Sequence, residues 1–306
     1  MRFLTLEDGE LGAVVGGAVV VAVGAALGAA GRGDRVPRRM EHLLGASPEE
    51  LHRLWDRVLD AAAAGRVAGE LDEEAGAVRG PRGTLGVAPP IRPVRNLICI
   101  GKNYREHVNE VRGTALGGLP EAPIVFTKAT TAVIGPGEPI PVHAGLTSEL
   151  DYEAEVALVI GRGGRAIPPE RAWEHVFGYT IVNDVTARDL QRRHRQFFLG
   201  KSLDGSAPMG PVVVPRAAMP EPAAIEIRCR VNGELRQQGR LDQLIFDVPT
   251  LIATLSAGMT LLPGDIVATG TPSGVGAGLD PPRFLRPGDL IEIEVTGCGR
   301  LVNPVA

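Results

Sequence analysis

The stretch ELDYEAEVALVI, residues 149–160, alternates between acidic and apolar side chains along its length. Alternation at period two is the signature of a strand with two distinct faces. Glu149, Asp151, Glu153 and Glu155 fall on one face; Leu150, Tyr152, Ala154, Val156, Leu158 and Ile160 fall on the other. Aspartate and glutamate are poor strand formers, and like charges on one face repel. Two readings account for the cluster: a face open to water, or carboxylate oxygens gathered around a divalent cation. The strand alone leaves both open.

Upstream, Asn96–Ile100 reads as an apolar strand leaving through Gly101-Lys102-Asn103-Tyr104, and Ile124–Lys128 as another ending in lysine. Between them, Arg105–Glu110 as a helix puts His107 and Glu110 on one face. A carboxylate beside an imidazole orients it and raises its basicity, as a general base requires. A surface His–Glu pair is the plain alternative. Residues 111–121, with Gly113, Gly117, Gly118 and Pro120, read as a mobile loop suited to a lid.

Downstream, Gly161-Arg162-Gly163-Gly164-Arg165-Ala166 fits a dinucleotide fingerprint, with Asp184 further on. A nucleotide-dependent oxidoreductase would follow from it. In that fingerprint, however, the helix starts inside the motif so that its amides face the pyrophosphate. Pro168-Pro169 places the helix here, Glu170–His175, after the motif, so a plain turn is the expectation.

Phe177–Asn183 is a strand ending at Asp184, and Thr186–Gln191 starts a short helix. Phe197–Asp204 brings Lys201, which either pairs with Asp204 or faces a site. Ile225–Val231 and Gln243–Asp247 are expected to flank an Asn232-Gly233 hairpin turn, and Pro249–Ala257 to form a helix. Pro263-Gly264-Asp265 and Pro287-Gly288-Asp289 each introduce a strand. Thr269–Gly276 is a Gly-rich loop whose hydroxyls and amides suit a carboxylate, or else a simple tight turn.

The N-terminal third has a different texture. Leu11 to Gly31 carries no charge, but its Gly, Ala and Val content and the turn signals Asp8-Gly9 and Gly16-Gly17 argue against a membrane span. Phe3–Glu7, Leu11–Val15 and Ala18–Val23 read as three strands of a meander. A secretory signal is not expected, because Glu7, Asp8 and Glu10 follow a single arginine. Ser47-Pro48-Glu49-Glu50 is a capping box; it opens a helix with Leu51, Leu54, Trp55, Val58, Leu59 and Ala62 on one face and Gly65 as its stop. Residues 66–93, rich in Gly, Pro and Arg, read as a connector. The expected division is a small N-terminal α/β accessory domain with linker over 1–93 and a catalytic domain over 94–306.

Composition bounds the function. A formal charge of −4 argues against nucleic acid or an anionic membrane as the main partner. Cys99, Cys229 and Cys298 stand far apart in no metal spacing, as in a reduced, cytoplasmic protein with buried thiols. Lysine occurs only at Lys102, Lys128 and Lys201, with arginine supplying every other basic residue. An ammonium point charge differs from a guanidinium fork, so these positions are candidates for needing one.

Taken together, GKNYREHVNE (101–110), FTKATTAVIGPG (126–137), DYEAEVALVIG (151–161), GYTIVNDVTARDLQ (178–191), GKSLDG (200–205), GDIVATGTPSGVG (264–276) and RPGDLIEIEVTGCGRLVNPV (286–305) resemble the fumarylacetoacetate hydrolase family. The resemblance implies an α+β, β-rich mixed β-sandwich roll with short helices, and a homodimer. It implies a Mg²⁺ or Mn²⁺ site formed by Glu153, Glu155 and Asp184, which turns the open reading of the acidic strand toward metal. Ile100 stands where the parent hydrolase has a further aspartate, giving the three-carboxylate version.

By the same matching, His107 and Glu110 resemble the dyad that activates water, and Lys201 the lysine beside the metal. Gln191 resembles a substrate-side amide, and Gly270 with Thr271 the group that meets a substrate carboxylate; Lys128 matches a recurring lysine of open role. The implied activity is metal-dependent hydrolysis of a C–C bond in a small acylpyruvate or diketo acid through a stabilised enolate. The alternative on the same site is a decarboxylase or isomerase of an oxo-dicarboxylate, such as oxaloacetate or 2-hydroxyhepta-2,4-diene-1,7-dioate, as in aromatic-acid catabolism. A catalytically silent metal-binding scaffold is the non-enzymatic alternative.

Overall fold

A computed structural model describes residues 1–28, 36–81, 83–110 and 119–306. Three strands open the chain, Phe3–Leu6 (β1), Leu11–Val15 (β2) and Val19–Ala22 (β3), paired antiparallel as a meander. The helix Val23–Gly28 (α1) follows, then Pro48–Ala63 (α2). The capping box of α2 is complete: Ser47 Oγ accepts from the Glu50 amide at 3.2 Å, and Glu50 Oε2 from the Ser47 amide at 2.7 Å.

The connector expected over 66–93 is a correction. It carries three strands, Gly69–Asp72 (β4), Ala77–Gly80 (β5) and Gly83–Ala88 (β6). The glycines that suggested a linker serve crowded backbones instead. A Cβ on Gly76, at φ +59°, would lie 2.1 Å from the Pro136 carbonyl oxygen.

Leu97–Gly101 (β7), Arg105–Glu110 (α3), Ile124–Lys128 (β8) and Val133–Ile134 (β9) come next. The lid expected at 111–121 lies mostly outside the described residues. The alternating stretch forms two strands rather than one, Leu150–Asp151 (β10) and Ala154–Ile160 (β11), interrupted at Tyr152-Glu153. Val176–Asn183 (β12), Thr186–Ala187 (β13), Arg188–His194 (α4), Phe198–Lys201 (α5) and Ala207–Pro215 (β14) follow.

The Asn232-Gly233 turn joins Glu226–Val231 (β15) to Glu234–Arg240 (β16), so the second arm is not Gln243–Asp247. A two-residue turn pairs the residues directly after it, and the polar look of β16 hides an alternation in which Gln237 and Gly239 are buried. Val248–Ser256 (α6), Ile266–Ala268 (β17), Leu290–Val295 (β18) and Gly299–Pro304 (β19) complete the chain.

Among the described residues the strands form a 13-stranded sheet, the β10–β13 ribbon and a four-stranded sheet ordered β16-β15-β18-β19. The large sheet is continuous from N-terminal to C-terminal strands, because β1 meets β14 with Phe3 opposite Val213. Within it β11 is central, antiparallel to β12 on one side and to β17 on the other.

Leu150, Tyr152, Ala154, Val156, Leu158 and Ile160 all enter one core with Ile227, Cys229, Ile291 and Ile293 of the smaller sheet. Ala157 and Val159 enter the other with Leu51, Leu54 and Val58 of α2. The fold is α+β and β-rich, as the family resemblance implies. The acidic face, however, is not open to water: Asp151, Glu153 and Glu155 are 0%, 5% and 1% exposed.

The Gly161–Ala166 segment makes a single bridge, Gly164 to Leu261, and the 3₁₀ turn Pro169–Glu174 begins after it. No helix N-terminus lies inside the motif, as the paired prolines require. No helix among the described residues is long and apolar enough to cross a membrane.

Candidate active site

Antiparallel pairing of β11 with β12 sets Ala154 opposite Asn183, and the Asp184 amide donates to the Glu153 carbonyl at 2.8 Å. Residues distant in sequence are thereby made neighbours. One carboxylate oxygen from each of Glu153, Glu155 and Asp184 lies within 4.8 Å of the others, all three side chains buried. Glu153 and Glu155 lie on the face that continues along β11 as Ala157 and Val159, and Asp184 reaches it from the end of β12, whereas Glu149 pairs with Arg192 at the surface, 2.6 Å away.

Among the described residues, three cations pair with this triad. Lys201, on α5, donates to Glu153 Oε2 and Asp184 Oδ2, each at 2.7 Å, and stands 5.0 Å over the Phe126 ring. It therefore turns to the acidic cluster rather than to Asp204. Gly200 makes this possible, since a Cβ there would meet the Gln191 amide nitrogen at 2.7 Å. Lys128, fully buried at the end of β8, donates to Asp184 Oδ1 at 2.7 Å and to the Val185 carbonyl at 2.9 Å. Arg188 opens α4 with Nη1 2.6 Å from Glu153 Oε1 and Nε 2.9 Å from Asp151 Oδ2.

The charges divide unevenly. Burial would raise the Glu153 carboxyl, but the Lys201 and Arg188 charges hold it well below the usual range. Glu155 has no cation in an ion pair among the described residues; burial, then the Asp184 and Glu153 charges, push it well above the usual range. Among the described residues its hydrogen-bond donor is the Gly270 amide at 2.8 Å. Burial pushes the Lys128 ammonium down, while Lys201 is raised, its burial outweighed by Asp184 and Glu153.

His107 and Glu110 share one face of α3, with Nδ1 3.3 Å from Glu110 Oε2, and both are largely shielded from solvent. Glu110 accepts from the Gly274 amide at 2.9 Å. Gln191 is half-buried, its Oε1 3.4 Å from Arg188 Nη1.

The Gly-rich loop does bind carboxylates, but they are the protein's own. Gly270 holds Glu155, Gly274 holds Glu110, and the Gly276 and Ala277 amides hold Asp151 at 2.7 and 3.0 Å. Thr271 is likewise engaged internally, donating to the Ala154 carbonyl at 2.9 Å and accepting from Gln237 at 2.8 Å. Its hydroxyl thus fixes the acidic strand in this structure.

Arg188, Asp151 and Gln237 were not singled out from sequence. For Arg188 no signal separated it from its many surface counterparts. Asp151 lay in plain view, but as a member of the acidic face. Gln237 falls within the polar run that hid β16.

This architecture invites comparison with known proteins. The family model described as fumarylacetoacetate (FAA) hydrolase C-terminal matches residues 96–306. Oxaloacetate tautomerase YisK of Bacillus subtilis is 56% identical over 218 residues, 71% of this chain and 72% of that protein. The fumarylacetoacetate hydrolase structure from Exiguobacterium antarcticum superposes with TM-score 0.76 at 39% identity, covering 100% of this chain and 99% of that one. The 2-hydroxyhepta-2,4-diene-1,7-dioate isomerase structure from Mycobacterium marinum gives TM-score 0.63 at 33% identity, over 79% of this chain and 94% of that one. The chain belongs to the fumarylacetoacetate hydrolase family of enzymes.

Proposed function

We propose that the protein is a divalent-metal-dependent tautomerase of a small oxo-dicarboxylate of the oxaloacetate type. The relatives named as a tautomerase and an isomerase support this isomerase reading over the C–C hydrolysis expected first. The observation that carries it is the buried triad of Glu153, Glu155 and Asp184 with Lys201 and Arg188 against it.

The donor set fits a hard cation: three carboxylate oxygens, one from a glutamate whose charge has no paired cation among the described residues. Mg²⁺ and Mn²⁺ both suit such oxygens. A bound cation there would supply Lewis acidity toward a carbonyl oxygen.

The remaining roles fall to the chain's own groups. From the keto form, tautomerisation breaks a C–H bond beside the carbonyl: its electron pair becomes the C=C bond, the C=O π pair moves to oxygen, and the proton taken from carbon is returned to that oxygen. His107 takes the proton on Nε2, with Glu110 facing Nδ1 and holding the ring in that tautomer. Lys201 keeps one of its three donors beyond the two on Glu153 and Asp184, placing positive charge where the oxygen gains negative charge. Arg188 Nη2 is buried without a hydrogen-bond partner among the described residues, and serves a substrate carboxylate together with Gln191. On this proposal the protein works as a homodimer, with its catalytic residues all beyond residue 94 and the N-terminal strands completing their sheet.

The test follows decay of the enol absorbance of oxaloacetate, with and without Mg²⁺, beside assays for pyruvate release and acylpyruvate cleavage. Metal-dependent acceleration of enol decay is expected, and His107→Ala should lower kcat by about 10²- to 10⁴-fold. Cleavage of an acylpyruvate with no effect on the enol would replace the proposal by the hydrolase reading, which the Exiguobacterium structure supports.

A further inference from the structure

Between the two glutamates of the triad lies Ala154, whose backbone groups need partners that the sheet does not provide. Even-numbered residues of β11 turn their amide groups toward β17: the Ile160 amide donates to Asp265, and the Val156 carbonyl accepts from Thr269 at 3.1 Å. The pairing with β17 ends at Ala157 opposite Ala268, and the chain then leaves as the Gly-rich loop. Ala154 would be left with an unpaired buried N–H and C=O, each costing about 1–3 kcal/mol.

Gln237 closes this gap from the other sheet. Its Oε1 accepts from the Ala154 amide at 3.0 Å, and its Nε2 donates to Thr271 Oγ1 and to the Pro272 carbonyl, both at 2.8 Å. Thr271 Oγ1 donates in turn to the Ala154 carbonyl at 2.9 Å, completing a closed ring. Gln237 is 1% exposed and Thr271 3%, so no water competes freely for these bonds. The ring fixes the backbone at Ala154, and with it the directions in which Glu153 and Glu155 leave. It also fixes the loop whose Gly270 amide holds Glu155.

We infer that Gln237 is a positioning residue of the carboxylate centre, a side-chain substitute for the missing strand that sets the spacing of Glu153 and Glu155 for a divalent cation. The inference rests on the metal-centre part of the proposed function. A glutamine is suited to the task because its amide both accepts and donates. Glutamate keeps the first bond but sets an acceptor against the Pro272 carbonyl, and methionine keeps the volume and loses all three bonds.

The experiment titrates the intact protein with Mn²⁺ and reads free Mn²⁺ by electron paramagnetic resonance, alongside turnover of oxaloacetate and thermal melting. Gln237→Glu and Gln237→Met are expected to weaken Mn²⁺ binding by about tenfold or more, with kcat falling further than KM rises. Gln238→Met, on the exposed side of the same strand, is expected to bind as wild type does. Folded Gln237 variants that bind Mn²⁺ within twofold of wild type would overturn the inference alone. Failure of the wild-type protein to bind Mn²⁺ would overturn the metal reading and the inference with it. Should the Gln237 variants not fold, Thr271→Val breaks the same ring from its other side. An unchanged Mn²⁺ affinity there would equally overturn the inference.

Discussion

Two of the three lysines in this arginine-rich chain sit on one aspartate. Lys128 and Lys201 take the two oxygens of Asp184, each at 2.7 Å, within a space that a planar guanidinium would fill differently. Lys128→Met leaves Asp184 with half its compensation in a fully buried setting. Losing one partner of such a pair typically costs 3–5 kcal/mol; because Lys201 remains, the low end, about 3 kcal/mol, is expected in denaturant unfolding. Glu155 gives the complementary pH signature. Its folded carboxyl holds a proton more tightly than in the unfolded chain, where a value near 4.5 applies. The folded state therefore binds more protons, and metal-free stability should fall as pH rises above 4.5. Glu153 acts in the opposite sense, its stabilisation present above 4.5 and lost on acidification. The melting temperature of metal-free wild type minus that of Glu155→Gln, followed against pH, isolates the Glu155 contribution. That difference should shrink or change sign as pH rises, and Mg²⁺ should reverse the trend.

Secondary-structure elements were legible where local chemistry alone decides them. The capping box of α2 is one such case, its residues and its geometry agreeing. Ser47→Ala should cost about 1 kcal/mol, seen as a lower melting temperature with turnover unchanged, since among the described residues no hydrogen bond or ion pair joins α2 to the triad. The apolar half of 149–160 is another: every residue assigned to the core lies there, although the strand breaks in its middle. Period-two patterning survives the break because the interruption keeps the alternation of faces. Sequence and structure differ where composition stands in for contact. Glycines over 66–93 suggest a linker but permit close strand approach, and the polar residues of β16 give no strand signal, so the second arm of the hairpin is expected too far along, at Gln243–Asp247. The buried Gln237 of β16 is satisfied by partners in another sheet and in the Gly-rich loop, which its own segment cannot reveal.

On the scale of the whole molecule, the N-terminal strands are hydrogen-bonded into the catalytic sheet. Phe3, Leu11 and Val21 share a core with Ile91, Leu97, Met209 and Val213. Removing residues 1–93 would bare the edge of β14 and this apolar face. The 94–306 fragment is therefore expected to be aggregation-prone and to melt well below the full chain, as size-exclusion chromatography and calorimetry would measure. A soluble, fully active fragment would instead establish the N-terminal third as a separable accessory unit. Sequence alone determined the strand faces, the helix cap and the acidic and basic residues available for chemistry, because periodicity, capping and turn preference act within a few residues. Only the tertiary structure decided which of four acidic side chains converge, that Lys128 and Arg188 join them, and that the Gly-rich loop holds the protein's own carboxylates. Those outcomes depend on sheet pairing across long sequence separations, where burial makes each charge require a partner that no local pattern can name.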